Sequence, residues 1–383
     1  MPMTKDELIA WANDPNRAGT LPFGAFEPKH QRAIVGAALA VRAVIYFKGG
    51  YTPAKRKALV ACYQRYDDAL QTYQRVAETA AGRAPSKGSP LRWLYQDGKQ
   101  PVELRKGPSF ASLAMSIPAD APFVLALSNA EDKQGASTME FSTFCLEDWQ
   151  ASMNRGLDVA TFSVPQAFLT LCPDVFQPLF AQAVDELDAV YGHAGYAANL
   201  SLLQRGPNEA SEYFWARKFG PGLDVGDPMR RNLRRLTDRI KTVDWLTAIN
   251  ADLVRELGGV DKLSLPPDWF RKQPYDHGGL IIQAGVAPQT GIAGEQGHPP
   301  APPPAYVLLN NALRPIIVDA LGTLQTGTAT STAPLLNTQV ATETWLHRLD
   351  VEPDRINAYW VELHKTPKLP SAGDVNQANN RTS

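Results

Sequence analysis

The sequence predicts an α+β fold, with antiparallel or mixed sheets drawn from two halves of the chain and packed against amphipathic helices. Three observations carry that expectation. Short β-rich runs such as "VRAVIYF" (41–47), "FVLALSNA" and "LDVATFSVP" are bounded by glycine, proline or charged turns. Longer stretches with apolar residues at helical spacing stand between them, most clearly at 52–82. The regular βα alternation that would announce a parallel sheet is absent.

In chain order, a leader at 1–20 precedes the strand at 41–47, which stops at Gly49 and Gly50. Thr52 and Pro53 suit the N-cap and first position of a helix. Its Leu59, Cys62, Tyr63, Tyr66, Leu70 and Tyr73 share one face, and Gly82 ends it. "SFASLAMSI", "FVLALSNA" and "TMEFSTFCLE" read as three strands of an antiparallel meander, separated by Pro118, Pro122 and the "EDKQG" turn. The second half opens with the strand "LDVATFSVP". A helix over 165–191 follows, with break points at Pro173 and Pro178, and then the strand "AGYAANLSLL".

"DPMRRNLRRLTDRIK" reads as a helix with the apolar stripe Met229, Leu233, Leu236 and Ile240 and a basic face of Arg230, Arg231, Arg234, Arg235, Arg239 and Lys241. Residues 241–259, "KTVDWLTAINADLVRELGG", place Trp245, Leu246, Ile249, Leu253, Val254 and Leu257 on one buried helix face. Arg255 complements the dipole there and Gly258 permits the stop. A phosphate-binding turn needs its glycines before the helix, and these follow it, so the segment is scaffold. The strand "GGLIIQAGVAP", a loop at 289–304 stiffened by the prolines of "HPPAPPP" (298–304), the strand "AYVLLN" and a polar tail complete the chain. The expected organisation is the leader 1–20, a domain at 21–366 able to divide into lobes 21–150 and 151–366, and a disordered tail at 367–383.

A chain of 383 residues can bury a core without staples, and 44% hydrophobic with 20% charged residues is a globular balance. The net charge of −1 supplies no global field toward nucleic acid or anionic membrane, so charged recognition must be local. Cys62, Cys145 and Cys172 form no CxxC pair, which argues against a disulfide framework or a tetrathiolate zinc site and for a reducing compartment. The beginning of the chain carries Asp6, Glu7 and Asp14 and lacks the apolar run of a secretory signal. No segment reaches the roughly 18 apolar residues of a membrane span. The expectation is a cytoplasmic protein without membrane contact.

GxSxG, P-loop, GxGxxG and HExxH motifs do not occur, and the six histidines lack metal-ligand spacing, so no cofactor or metal is expected. In "YDHGG" (275–279) Asp276 could orient His277 beside glycines that border an oxyanion hole. No nucleophile accompanies them, and a turn into the next strand is the favoured reading. The arginine-rich stretch lacks the interleaved aromatics of a single-strand binder, which favours a solvated face or the rim of a protein contact over nucleic acid. Asp185, Glu186 and Asp188 in "AVDELDAVYG" form an acidic patch. Such patches are ordinarily solvated, but one can imitate phosphate toward a basic protein.

The order of segments resembles one known family. "IYF" before "GGYTP" and a tyrosine-rich helix, then "VPQAF", "WLTAINADLVRELGG", "GGLIIQAGVAPQTG" and "YVLLNNALRPI" are similar to the type VI secretion immunity family over about 21–350. That resemblance implies an inhibitor, without enzymatic activity, that binds a cognate effector toxin in the cytoplasm and covers its active cleft. A nuclease is the expected toxin, and Asp185, Glu186 and Asp188 are the expected contacts. The alternatives are an enzyme or ligand-binding protein using Asp276 and His277, and a chaperone or adaptor that loads an effector.

Overall fold

The computed structural model describes residues 4–27, 32–292, 298–327 and 335–370. Helix α1 (Lys5–Asn13) starts from a reciprocal cap between Thr4 and Glu7. Strand β1 (Thr20–Phe23) then pairs with the outer end of β2 (Arg32–Phe47), a strand of 16 residues. Gly36 permits that crossing, because a Cβ there would lie 2.4 Å from the Phe23 Cα. Helix α2 (Pro53–Ala80) has the expected cap, with the Thr52 hydroxyl accepting from the Lys55 N–H, and it buries Leu59, Cys62, Tyr66 and Leu70.

The chain continues through β3 (Trp93–Gln96), β4 (Val102–Glu103), α3 (Phe110–Ser116), β5 (Phe123–Ser128), β6 (Glu140–Cys145), α4 (Asp148–Ser152) and β7 (Asp158–Val164). Next come α5 (Gln166–Leu171), α6 (Phe176–Leu187), β8 (Tyr191–Leu200), α7 (Glu209–Phe219), α8 (Arg231–Arg234), β9 (Leu246–Ile249) and α9 (Ala251–Glu256). The last elements are β10 (Phe270–Tyr275), β11 (Gly279–Ala284), α10 (Pro304–Leu313), α11 (Gln339–Leu346) and α12 (Ile356–Leu363).

All these strands join one sheet of eleven, in the order β10-β11-β9-β8-β2-β7-β6-β5-β3-β4 with β1 beside β2, and every ladder is antiparallel. The expected α+β class holds, and β5, β6 and β7 form an antiparallel meander. Strands from both halves interleave, since β2 lies between β7 and β8 and β6 pairs with β7.

Period-2 alternation gives the sheet two unlike faces. On one, Phe141 and Phe162 meet Tyr66 of α2 at ring distances of 5.8 and 5.7 Å, Phe110 of α3 meets Phe141 at 5.4 Å, and Phe176 of α6 meets Phe162 at 5.7 Å. On the other, Arg42, Glu140, Ser142, Thr161, Ser163, His193 and Asn199 are buried polar groups. The chain after β8 covers them: the Tyr46 hydroxyl donates to the Pro228 carbonyl and Arg42 binds Asp224.

Several expected elements differ. "SFASLAMSI" is not a strand but contains α3, started by the Ser109 hydroxyl accepting from the Ser112 N–H. "AYVLLN" lies in α10, with Pro304 in its first turn; its Ala305–Asn310 side chains are all buried, and an apolar run buried all round carries no period to separate helix from strand. In "DPMRRNLRRLTDRIK" only α8 is α-helical. Two of its cations leave the expected face for tertiary contacts: Lys241 is buried on Asp224, and Arg234 lies over the Phe144 ring at 3.7 Å. Residues 241–259 are β9 followed by α9, because the first half is held between β8 and β11. Their glycines do follow the helix, with φ of 82° at Gly258 and 97° at Gly259.

The helix expected over 165–191 is divided into α5 and α6 around Pro173 and ends at Leu187. The proline loop leads from a strand into a helix, with Ile292 bridging Ala301; residues 293–297 lie outside the described part. Most of the expected disordered tail, 371–383, also lies outside it. Just before, Leu369 donates its N–H to the Asp268 carbonyl and Lys368 pairs with the Asp268 carboxylate at 2.7 Å.

Candidate partner-binding surface

The C-terminal end of α6 gathers the acidic residues singled out above. Glu186 is only partly exposed and is paired with Arg65 of α2 at 2.5 Å, so its charge is matched. Asp188 is exposed and caps the helix with φ of 51°, a left-handed conformation that short polar side chains tolerate better than most. Carboxylates oppose the helix dipole at this end. Lys55 offsets them, its Nζ donating to the Leu187 carbonyl at 2.7 Å. Asp185 accepts the Asp276 N–H at 3.1 Å, a bond spanning 91 residues of sequence. The β10–β11 turn is thereby fixed beside α6, and the Tyr275 hydroxyl adds a bond to the Ala189 carbonyl at 3.0 Å. The two fragments that attract notice separately in the sequence, the acidic trio and "YDHGG", are one corner of the molecule. Asp185, Asp188 and Asp276 give it its negative charge, which Lys55 offsets in part at Asp188.

His277 occupies the middle of that turn, exposed and with φ of 60°. Among the described residues no hydrogen bond joins it to the Asp276 carboxylate, so the pair does not form the acid-oriented imidazole that a nucleophile would need. The turn reading holds. All three cysteines are buried: burial and then Glu186 push the Cys62 thiol up to about 12, and burial also raises Cys145 and Cys172. These are core thiols, not nucleophiles.

A second constellation was not anticipated. His193 Nε2 and Arg42 lie 3.2 and 3.1 Å from one oxygen of Asp224, and Lys241 lies 2.5 Å from the other. All four side chains are at most 5% exposed, which makes this an internal ionic cluster and not a site open to substrate. Burial alone would raise the Asp224 carboxyl, but Lys241, His193 and Arg42 hold it well below the usual range. Burial lowers His193 against the opposing pull of Asp224. Only the alternation of "GHAG" within β8 could have placed His193 on the polar face.

A third feature is a cleft of about 950 Å³ between the chain after β8 and the loop around Thr323. Arg205, Arg230, Arg231 and Arg235 line it, so three of the arginines expected on a solvated face or the rim of a protein contact share a concavity. Among the described residues no group of three or more His, Cys, Asp or Glu side chains is placed to hold a metal. No helix there is long and apolar enough to cross a membrane.

With this geometry the comparisons with known proteins agree in kind. The family model TsiV, described as type VI immunity for VRR-NUC, matches residues 58–349. Among solved structures, the chain is similar to Pseudomonas aeruginosa T6SS protein PA0821, at 28% identity over 96% of this chain and 98% of that one, with a TM-score of 0.82. No curated protein is significantly similar.

Proposed function

We propose, because this chain belongs to the TsiV family of type VI immunity for VRR-NUC, that it binds a cognate type VI effector of the nuclease class and neutralises it by covering the active cleft. It acts by stoichiometric binding in the cytoplasm, without catalysis, and residues 21–366 engage the partner as one unit. The observation that carries this reading is the family match over residues 58–349.

The acidic corner supports a nuclease as the partner. A nuclease cleft must be basic to hold phosphate, and a protein that occludes it gains from presenting carboxylates there. Asp185 and Asp188 supply them, joined by Asp276, while Glu186 stays tied to Arg65 and holds the corner on α2. The test is to co-purify the chain with the product of the neighbouring gene and assay that product's nuclease activity alone and in complex. Association is then measured at two salt concentrations for wild type and the triple variant Asp185→Lys, Glu186→Lys, Asp188→Lys. Charge reversal should slow association by about tenfold at low salt and flatten its salt dependence, since a local patch acts through the on-rate. Wild type that neither binds nor protects ends the immunity reading. A variant that associates as fast as wild type removes only the acidic corner from it.

A further inference from the structure

We propose that the arginine-lined cleft is a receptor site for an acidic, partly apolar segment of a protein partner, distinct from the acidic corner. The inference rests on the reading that this chain binds a protein effector, and it adds a second point of contact. β8 begins at Tyr191, close after Asp188, and ends at Leu200, just before Leu202 of the cleft wall. A strand of that length separates the two features by roughly 30 Å, so one partner can reach both only across a broad face.

The cleft is built, not incidental. Arg230 is held in place by the Leu324 carbonyl at 3.3 Å and the Thr323 hydroxyl at 3.2 Å, with Glu209 at 3.9 Å. Arg205 pairs with Asp227 at 3.3 Å. The Asn232 side-chain amide donates to both the Leu321 and Thr323 carbonyls at 2.8 Å, which fastens one wall to the other. Arg231 and Arg235, one helical turn apart, are exposed, and their guanidinium groups have no hydrogen bond or ion pair among the described residues.

Four arginines face two carboxylates, Glu209 and Asp227, so the lining carries a net charge of +2 in a chain whose net charge is −1. The Glu209 carboxylate is further committed to the Thr326 and Gly327 N–H groups. What remains is two unmatched guanidinium forks, whose planar donors fit carboxylates bidentately.

The chemistry of the walls selects the class of ligand. Leu203, 43% exposed, and the half-buried Leu202 supply apolar contact, backed by the buried Leu236 and Leu321. Among the described residues no aromatic or histidine side chain lines the cleft, so they offer no platform on which bases could stack. A segment in which Asp or Glu alternates with aliphatic residues satisfies both the free arginines and the leucines; a bare polyanion satisfies only the first.

The experiment uses the full chain and two probes of defined composition: a labelled twelve-residue peptide alternating Asp or Glu with Leu, and a twelve-residue oligothymidylate. Binding of each is measured by fluorescence anisotropy to wild type, to Arg231→Glu with Arg235→Glu, to Arg231→Lys with Arg235→Lys, and to Asp185→Lys with Asp188→Lys. The expected result is that wild type binds the peptide in preference to the oligonucleotide and the glutamate pair loses at least about tenfold. The lysine pair should fall between them, because charge without the fork is retained, and the acidic-corner pair should bind the peptide as wild type does. Unchanged thermal unfolding of the glutamate pair shows that the loss is not misfolding, as expected for two exposed residues without partners. Equal peptide binding by wild type and the glutamate pair overturns the proposal, as does preference for the oligonucleotide. Failure of wild type to bind the neighbouring gene's product at all tells instead against the immunity reading, since the peptide measurement does not depend on it.

Discussion

Asp224 shows how much of this protein depends on single buried charges. Its two oxygens serve Arg42, His193 and Lys241 on the polar face of the sheet. Asp224→Asn keeps the shape but leaves two interior cations without their anion, and should cost about 3–5 kcal/mol in urea unfolding; a loss near zero would show the cluster relaxes freely. Glu140, beside Arg42 and Arg205 and accepting the Ser137 N–H at 3.2 Å, behaves oppositely: burial raises its carboxyl to about 8. Between the ordinary value of 4.5 and 8 the folded chain keeps a proton that the unfolded chain has released. The stability from this group is therefore complete below pH 4.5 and lost as pH rises through 8. Asp224 has a lowered carboxyl and contributes above its ordinary 3.8, losing that contribution only in acid. Glu140→Gln should flatten the alkaline fall and stabilise the protein at about pH 9 by on the order of 1–3 kcal/mol relative to wild type, with less effect at about pH 5. Chemical denaturation at the two pH values checks it.

Among the elements, residues 241–259 are the most instructive. Of the six residues expected on one buried helix face, Trp245, Leu246, Ile249, Leu253 and Val254 are buried and Leu257 half-buried, but Trp245 precedes β9, Leu246 and Ile249 lie in it, and Leu253 and Val254 lie in α9. The switch falls at Asn250, whose side chain accepts the Leu253 N–H at 3.0 Å. Asn250→Ala should destabilise by about 1 kcal/mol through the lost cap, visible as a lower denaturation midpoint with unchanged slope. The β10–β11 turn offers the opposite change. His277 is held at φ of 60°, where a side chain costs roughly 1–2 kcal/mol and glycine does not. His277→Gly should raise stability by up to about 1 kcal/mol once the greater freedom of unfolded glycine is subtracted. Urea unfolding of the variant beside wild type checks it, and an unchanged or lower midpoint would show that the left-handed turn costs the histidine nothing.

On the scale of the whole molecule, the continuous sheet ties the two halves together. β2 lies between β7 and β8, and β6 pairs with β7, so neither 21–150 nor 151–366 keeps its own complete set of strands. Calorimetry should therefore show one cooperative transition, with calorimetric and van't Hoff enthalpies in agreement. Two transitions, with a limited-proteolysis cut near residue 150, would instead reveal lobes that unfold independently.

Elements whose cause is local were legible in the amino-acid order. α2 has its cap, its first-turn proline and its apolar stripe within one stretch of chain. β5, β6 and β7 are short runs with clear ends, β8 is found three residues earlier than its apolar run suggests, and the turn at Asp276 and His277 is marked by its glycines. The order of segments also carried the family. Tertiary structure alone decided the rest, because its causes lie far apart in the chain. Arg42 reaches Asp224 across 182 positions, Asp185 reaches Asp276 across 91, and Arg230 reaches the Leu324 carbonyl across 94. Spacing and capping act within a few residues, so they could place an arginine or a carboxylate on an element. Whether that charge ends buried in the sheet, matched by Arg65, or free in a cleft depends on which distant segments the antiparallel sheet brings beside it.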